Sequence, residues 1–434
     1  MTELSTSAAS GVLPRMATWG QTWTPALRFS AIAAQLSLLL VVFWLFRLEE
    51  PAFLVLSATM FGGFLISYWL PLAKKEPFFV ALCIGGAFLL AEPLVVAGVL
   101  AVLFTIYALS RLKASYAVRV VLIGTLLVGL TMSRQVALPG MPLAFWPTIG
   151  AIFMFRLMIF LYDLRNMKEG PPFMAFAAYF LMLPNFYFLF FPVVDYQTMR
   201  TGFARRPVSD IAQSGVNWIV RGTLQLLLYR VIAGMKAELT PSAIESLPML
   251  VKVMLLTYLL YLHVSGTFHI IVGMLHLFGY DLPETHRRYL LASSVTDFWR
   301  RINIYWKDFM MKVVYLPVFF RLRKTGLVRA QVIGTACVFV VTWALHGYQY
   351  YWLTGRMLLS VTDIAFWAIL GTWVVVNLLR ETREREHGVP KAPSPAKVAL
   401  KTVATFLVIT VLWSLWSSPT VGAFVDLVTY WKAG

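Results

Sequence analysis

Apolar runs of membrane-spanning length recur along nearly the whole chain, and this feature constrains the fold more than any motif does. They fall at about 29–46, 52–71, 119–132, 148–163, 172–192, 250–279, 329–353, 358–379 and 399–417. A bilayer core about 30 Å thick is crossed by roughly 20 apolar residues in helix. Helix is the form an open chain adopts there, because every backbone N–H and C=O must be satisfied without water. Residues 77–110 are too long for one span, and Glu92-Pro93 divides them into two short helices joined by a turn. The chain is 434 residues long, 59% hydrophobic and only 13% charged, too few charges to clothe a soluble fold of this size. The pattern predicts an all-α polytopic membrane protein with about ten to twelve membrane segments, some re-entrant or broken.

Charge sets the orientation. The 37 Lys and Arg against 20 Asp and Glu give a net charge of +17. In a soluble protein such an excess points to nucleic acid. Here the cations gather in short loops at 73–76, 110–119, 165–170, 200–206, 321–329 and 380–397, the distribution of cytoplasmic loops, so no nucleic-acid partner is expected. The same excess attracts anionic membrane lipid or a phosphate-bearing substrate. The alternation of sides holds up to residue 170 and then fails, because a full span at 172–192 would place "RTGFARR" outside. A re-entrant or broken segment at "LPNFYFLFFP", with Pro184 and Pro192, restores it. Irregular backbone at that depth needs protein or a cavity around it. The expected divisions are a polar N-terminal segment at 1–27, transmembrane helices at 28–140, a core at 141–380, a charged, Pro-rich cytoplasmic linker at 381–397 and a C-terminal transmembrane part at 398–434. Residues 1–27 lack the pattern of a cleaved signal peptide, so insertion is expected to begin with the first span. Cys83 and Cys337 both lie in apolar runs and make neither a disulfide framework nor a metal spacing. No internal repeat of the inverted-transporter kind is visible.

Polar residues inside such runs are candidates for function. His346 sits in "TWALHGYQYYW" beside Gly347 and among Trp343, Tyr348, Tyr350 and Tyr351. Counted from Arg329 along a straight helix, it lies roughly 25 Å into its segment. It reads either as a hydrogen-bonded structural histidine or as a reactive one. In "SSVTDFWRRINIYWKDFMMKVVYLPVFF", Asp297 is expected to cap a helix and Pro317 to end or kink it. On one continuous helix Arg300, Asn303 and Lys307 share a face, and Trp299, Ile302, Trp306 and Met310 fill the adjoining apolar faces. Arg300, Arg301 and Lys307 fit interfacial anchoring or a ligand site. His263, His269 and His276 lie upstream. His269 and His276 share a helical face as core or cavity-lining groups, and without supporting carboxylates no metal site is assigned.

Four stretches, taken in order, resemble the membrane-bound O-acyltransferase family, closest to its bacterial branch that acylates envelope polymers. "PTIGAIFMFRLMIFLYDLRN" (147–166) looks like the family's aromatic run leading to Tyr-x-Asp, and "YFLMLPNFYFLFFPVVDYQTM" (179–199) like its Phe-Phe-Pro segment. "GMLHLFGYDLPETHRRYLLASSVTDFWRRINIYW" (273–306) is similar to its Phe-Trp-Arg-Arg block, and "WALHGYQYYW" (343–352) to its Trp-His-Gly block. Leu345 stands where bacterial relatives commonly carry Trp, and Lys312 where they carry an acid. Together the stretches cover about residues 145–355.

The resemblance implies an acyltransferase core around a central tunnel in the inner (cytoplasmic) membrane. It also implies a thioester donor such as acyl-CoA, with no permanently bound cofactor, and a hydroxyl acceptor on an envelope polymer, glycan or lipid. A periplasmic esterase-like partner would fit relay of the acyl group to polysaccharide. His346 takes the place of the family's catalytic histidine, and Asn303 that of a second polar residue that is His in some relatives and Asn in others. On this reading Arg300, Arg301 and Lys307 face donor phosphates, Trp299, Trp343, His269 and His276 line the site, and Asp163 and Asp195 are packing or cavity residues. The competing expectation is a secondary transporter or flippase for an anionic or acyl-carrying lipid, with histidines and arginines along its path. A metal-dependent oxidase or desaturase is a third.

Overall fold

The computed structural model describes residues 23–136, 140–165, 167, 170–239, 244, 246–358, 360–386 and 394–429. The first 22 residues of the polar N-terminal segment, parts of the 165–170 loop and the middle of the 381–397 linker lie outside the described residues. Within them the fold is all-α, and the single β-bridge pairs Phe203 with Tyr280.

Helices α1 (Pro25–Phe46), α2 (Pro51–Trp69), α3 (Leu72–Leu90) and α4 (Pro93–Ser110) open the chain. Pro stands in the first turn of α1, α2 and α4, where its missing N–H has no intrahelical partner to lose. The break expected at Glu92-Pro93 is the junction of α3 and α4. Next come α5 (Tyr116–Val136) and α6 (Phe145–Leu164), the latter buried along most of its length. Nine of the described helical stretches are long and apolar enough to cross a membrane, and the protein is a polytopic membrane protein.

The segment after α6 is broken. Helix α7 (Phe173–Phe180) has eight residues, about 12 Å of rise, and cannot cross alone. A 3-10 turn at Leu183–Phe186 and extended chain come next, leading to α8 (Tyr196–Gly202). Contacts fix where this excursion returns. Arg200 pairs with Glu76 at the start of α3, 2.5 Å apart, and Lys312 binds both Asp163 at the end of α6 and Asp195 at the start of α8. The chain therefore comes back to the end of α6 from which it left, as a re-entrant segment does.

Helix α9 (Val208–Ala237), 30 residues long, has no counterpart among the apolar runs read from the sequence. It packs against α11 (Leu262–Leu277), which nearly continues α10 (Leu247–Leu259). Four glycines make the contact. A Cβ on Gly222 would stand 2.5 Å from the Gly266 carbonyl oxygen, and one on Gly215 would stand 2.6 Å from that of Gly273. Small residues let the two backbones touch, as helix pairs in a bilayer require.

The Phe-Trp-Arg-Arg region departs from the continuous helix expected of it. Helix α12 (Val295–Arg301) is capped by Ser294, whose hydroxyl accepts from the Asp297 N–H at 3.0 Å. Asp297 is thus not the cap but its partner, accepting from the Ser293 N–H at 3.0 Å. The helix ends at Arg301, and Asn303 adopts φ 41°, ψ 66° before α13 (Ile304–Met310). Arg300, Asn303 and Lys307 therefore do not share one helical face. Pro317 neither ends nor breaks the helical run that α13 begins. A π-turn at Met311–Tyr315 precedes α14 (Leu316–Leu322), which holds the proline in its first turn.

After Gly326 the long helix α15 (Leu327–Thr354) runs back beside α13 and α14, with Tyr315 against Gly334 and Trp306 against Thr342. Helices α16 (Val361–Glu386), α17 (Pro395–Ser417) and α18 (Val421–Val428) complete the fold. Helix α16 carries the chain to Glu386 and α17 resumes it at Pro395, so both ends of the expected linker are helical.

Candidate active site

His346 lies on α15 eight residues before its end. Its Nδ1 is 2.8 Å from the Thr342 carbonyl oxygen, one turn back. A carbonyl only accepts, so Nδ1 carries the proton and Nε2 holds a lone pair. Nε2 has no partner among the described residues. It is not sealed either: His269 Nε2 and His276 Nδ1 are closed off from water without a partner, whereas the half-buried His346 keeps a reachable edge. Three indoles surround the ring, those of Trp306, Trp367 and Trp416, with centroids at 5.3, 4.9 and 6.4 Å. Asp363 accepts from the Nε1–H of both Trp367 and Trp416, at 3.2 and 2.7 Å, and fixes two of these walls.

Trp306 links His346 to Asn303. Its Nε1 donates to the Thr342 hydroxyl at 3.3 Å, and its backbone N–H donates to Asn303 Oδ1 at 3.2 Å. Asn303 thus caps α13 from a left-handed backbone that Asn tolerates better than most residues. Because Oδ1 faces a donor, the other arm of the amide is the NH₂ group, which has no partner among the described residues. A free base and a free amide donor are consequently joined through one residue, Trp306, the imidazole against its indole and the amide at its backbone N–H.

The other candidates are distributed. Trp299 lies 4.8 Å from Phe339 and 6.3 Å from Trp367, behind the His346 wall. Trp343 lines an apolar groove of about 510 Å³ between α15 and α16, with Phe339, Trp367 and Gly371. Arg300 is exposed and unpaired among the described residues, Arg301 is held by Asp297 at 2.7 Å, and Lys307 pairs with Asp308 at 2.8 Å. His269 stacks on Trp218 at 5.1 Å and binds Gln225 at 2.7 Å. It stands at the far end of an aromatic wall that runs through His286, Tyr261, Trp413 and Trp416 to His346. His276 accepts from the Leu282 N–H at 2.9 Å and anchors the loop after α11. Asp195 caps α8 and, with Asp163, binds Lys312, so its carboxylate is engaged in a packing cluster. The half-buried His263 pairs with Glu49 at 2.9 Å. Among the described residues no group of three or more His, Cys, Asp or Glu is placed to hold a metal.

Three residues went unread in the sequence, two of them in the site. Trp367 and Trp416 gave no signal beyond general aromatic content. Arg156, a cation in the middle of the apolar run of α6, is buried, and its mere presence in that run was a readable signal.

The fold and this site define a class: a polytopic α-helical membrane protein with a base-form histidine set among indoles. Comparison of the chain with protein-family models and with curated proteins gives no match.

Proposed function

We propose that the protein is a membrane O-acyltransferase, moving an acyl group from a thioester donor to a hydroxyl of an envelope polymer, glycan or lipid. One observation carries the reading: the Thr342 carbonyl holds the His346 proton on Nδ1 and leaves the Nε2 lone pair reachable. The resemblance of residues 145–355 to the O-acyltransferase family supports the same assignment.

The chemistry rests on that tautomer. Nε2 takes the proton of the acceptor hydroxyl as its oxygen bonds to the thioester carbonyl carbon. The Asn303 NH₂ group donates to the carbonyl oxygen as it gains charge. The C–S bond then breaks, and the thiolate leaves with the proton returned from the imidazolium. Exposed Arg300 is the cation best placed for donor phosphates, because Arg301 and Lys307 are already paired.

Purified protein is expected to release free thiol from acyl-CoA in the presence of a hydroxyl acceptor. His346→Ala should lower that rate by on the order of 10²–10⁴-fold while leaving a folded, inserted protein. Equal thiol release by wild type and His346→Ala would overturn the assignment, and a transporter would release no thiol at all.

A further inference from the structure

We infer that Arg156 is an anion site, and that it holds a carboxylate or phosphate arm of the acceptor beside His346. Arg156 is 2% exposed, near the middle of a membrane-crossing helix. A guanidinium at such a place is costly unless a counter-charge or a ligand accompanies it. Among the described residues no carboxylate pairs with it. Its partners are neutral: the Tyr179 carbonyl at 2.8 Å, the Ala151 carbonyl at 3.4 Å and the Phe191 ring 4.8 Å from the guanidinium carbon. The acids Asp163 and Asp195 both bind Lys312, and neither pairs with the guanidinium. The guanidinium therefore has no direct counter-ion in an apolar setting.

It also lines a cavity. The walls are Gly150 and Phe155 of α6, Pro192 and Val193 of the re-entrant segment, and Gln349 of α15. The cavity measures about 20 Å³, room for a water-sized group, so it takes one charged arm of a ligand and not the whole molecule. The Gln349 amide has no hydrogen-bond partner among the described residues and supplies a second donor. Gln349 lies three residues beyond His346, about 4.5 Å along the helix axis. Phe155 touches Trp306 at 4.8 Å, the same indole that packs on His346. The cations of 321–329 precede α15, so the cavity lies on the far side of His346 from the cytoplasmic loops. That is the side from which an acceptor outside the cell arrives, and not the side of a cytoplasmic thioester. The assignment to the acceptor rests on the acyl-transfer reading. The anion site itself does not.

The test is ligand-dependent thermal stabilisation of the full-length protein in detergent, at constant ionic strength. The probes are sodium glucuronate and glycerol 3-phosphate, with sodium chloride as control. Wild type and His346→Ala should both be stabilised saturably by at least one of the two, and which one names the charged group. Arg156→Gln should weaken the apparent Kd at least tenfold, with Arg156→Lys intermediate. Where Arg156→Gln fails to fold, Gln349→Leu takes its place and should weaken binding severalfold. Absence of saturable stabilisation by either oxyanion, or an equal response in the Arg156 and Gln349 variants, overturns the site. Loss of thiol release with oxyanion binding intact would instead count against acyl transfer alone.

Discussion

Asn303 holds two roles in one side chain, and substitutions separate them. Its Oδ1 caps α13, and its backbone sits at φ 41°. Asn303→Gly keeps a residue at ease in that conformation and loses the cap, a change of a few tenths of a kcal/mol. Asn303→Ala loses the cap and places a Cβ in the left-handed region, each about 1 kcal/mol. The alanine variant is thus expected to melt below the glycine variant. Asn303→Asp keeps the capping oxygen and removes the NH₂ donor. It should melt near wild type yet release thiol more slowly by on the order of 10²-fold. A wild-type rate in Asn303→Asp would leave capping as the residue's whole contribution. Little of this was legible beforehand: the amphipathic pattern of 294–320 runs on across Asn303, and only the backbone reveals the break.

At the scale of elements, two contacts decide whether the helices hold together. Gly222 and Gly266 bring α9 and α11 into backbone contact, and a methyl group on Gly222 would meet a carbonyl oxygen that has no freedom to move aside. Gly222→Ala is expected to destabilise by about 1–3 kcal/mol, as overpacking does, and a thermal melt reads it directly. This pair was not legible, since Asp210, Arg221, Arg230 and Lys236 dilute the apolar signal of α9 while its inner face is built of glycine and aliphatic residues. The hydrophobic runs of α1, α2, α15 and α17 were legible because lipid demands continuous apolar surface there. The second contact is ionic. Arg206 and Arg205 bind the Asp281 carboxylate at 2.7 and 3.0 Å and tie the loop after α11 to the start of α9. The hydrogen bond from Arg206, with that from Arg205, outweighs burial and holds the Asp281 carboxyl below the usual carboxylate range. A depressed folded pKa gives stability that is present above the unfolded value, about 3.9, and is lost as pH falls through the folded one. Asp281→Asn should therefore melt lower than wild type at neutral pH. The difference should shrink in acid below the ordinary aspartate range, and a gap that widens there would contradict the pairing.

For the whole molecule, orientation is the property that gives His346 two different sides. The cationic loops at 73–76, 200–206 and 321–329 fall on one side only if 173–195 does not cross. The structure supplies the physical ties: Glu76 to Arg200, and Asp163 and Asp195 to one lysine. Each joins segments that a crossing would hold about 30 Å apart. Single-cysteine labelling in intact cells tests this, with Cys83 and Cys337 replaced by Ser so that only the introduced thiol reacts. Thr201→Cys and Thr325→Cys, both at exposed positions, are expected to react with a membrane-impermeant maleimide only after the cells are opened. Met357→Cys, just beyond the end of α15 and 53% exposed as methionine, should react in intact cells. Reaction of Thr201→Cys from outside would mean that 173–195 spans the bilayer. The orientation of α9 and every helix after it would then reverse, and His346 would lie nearer the inner face than the outer.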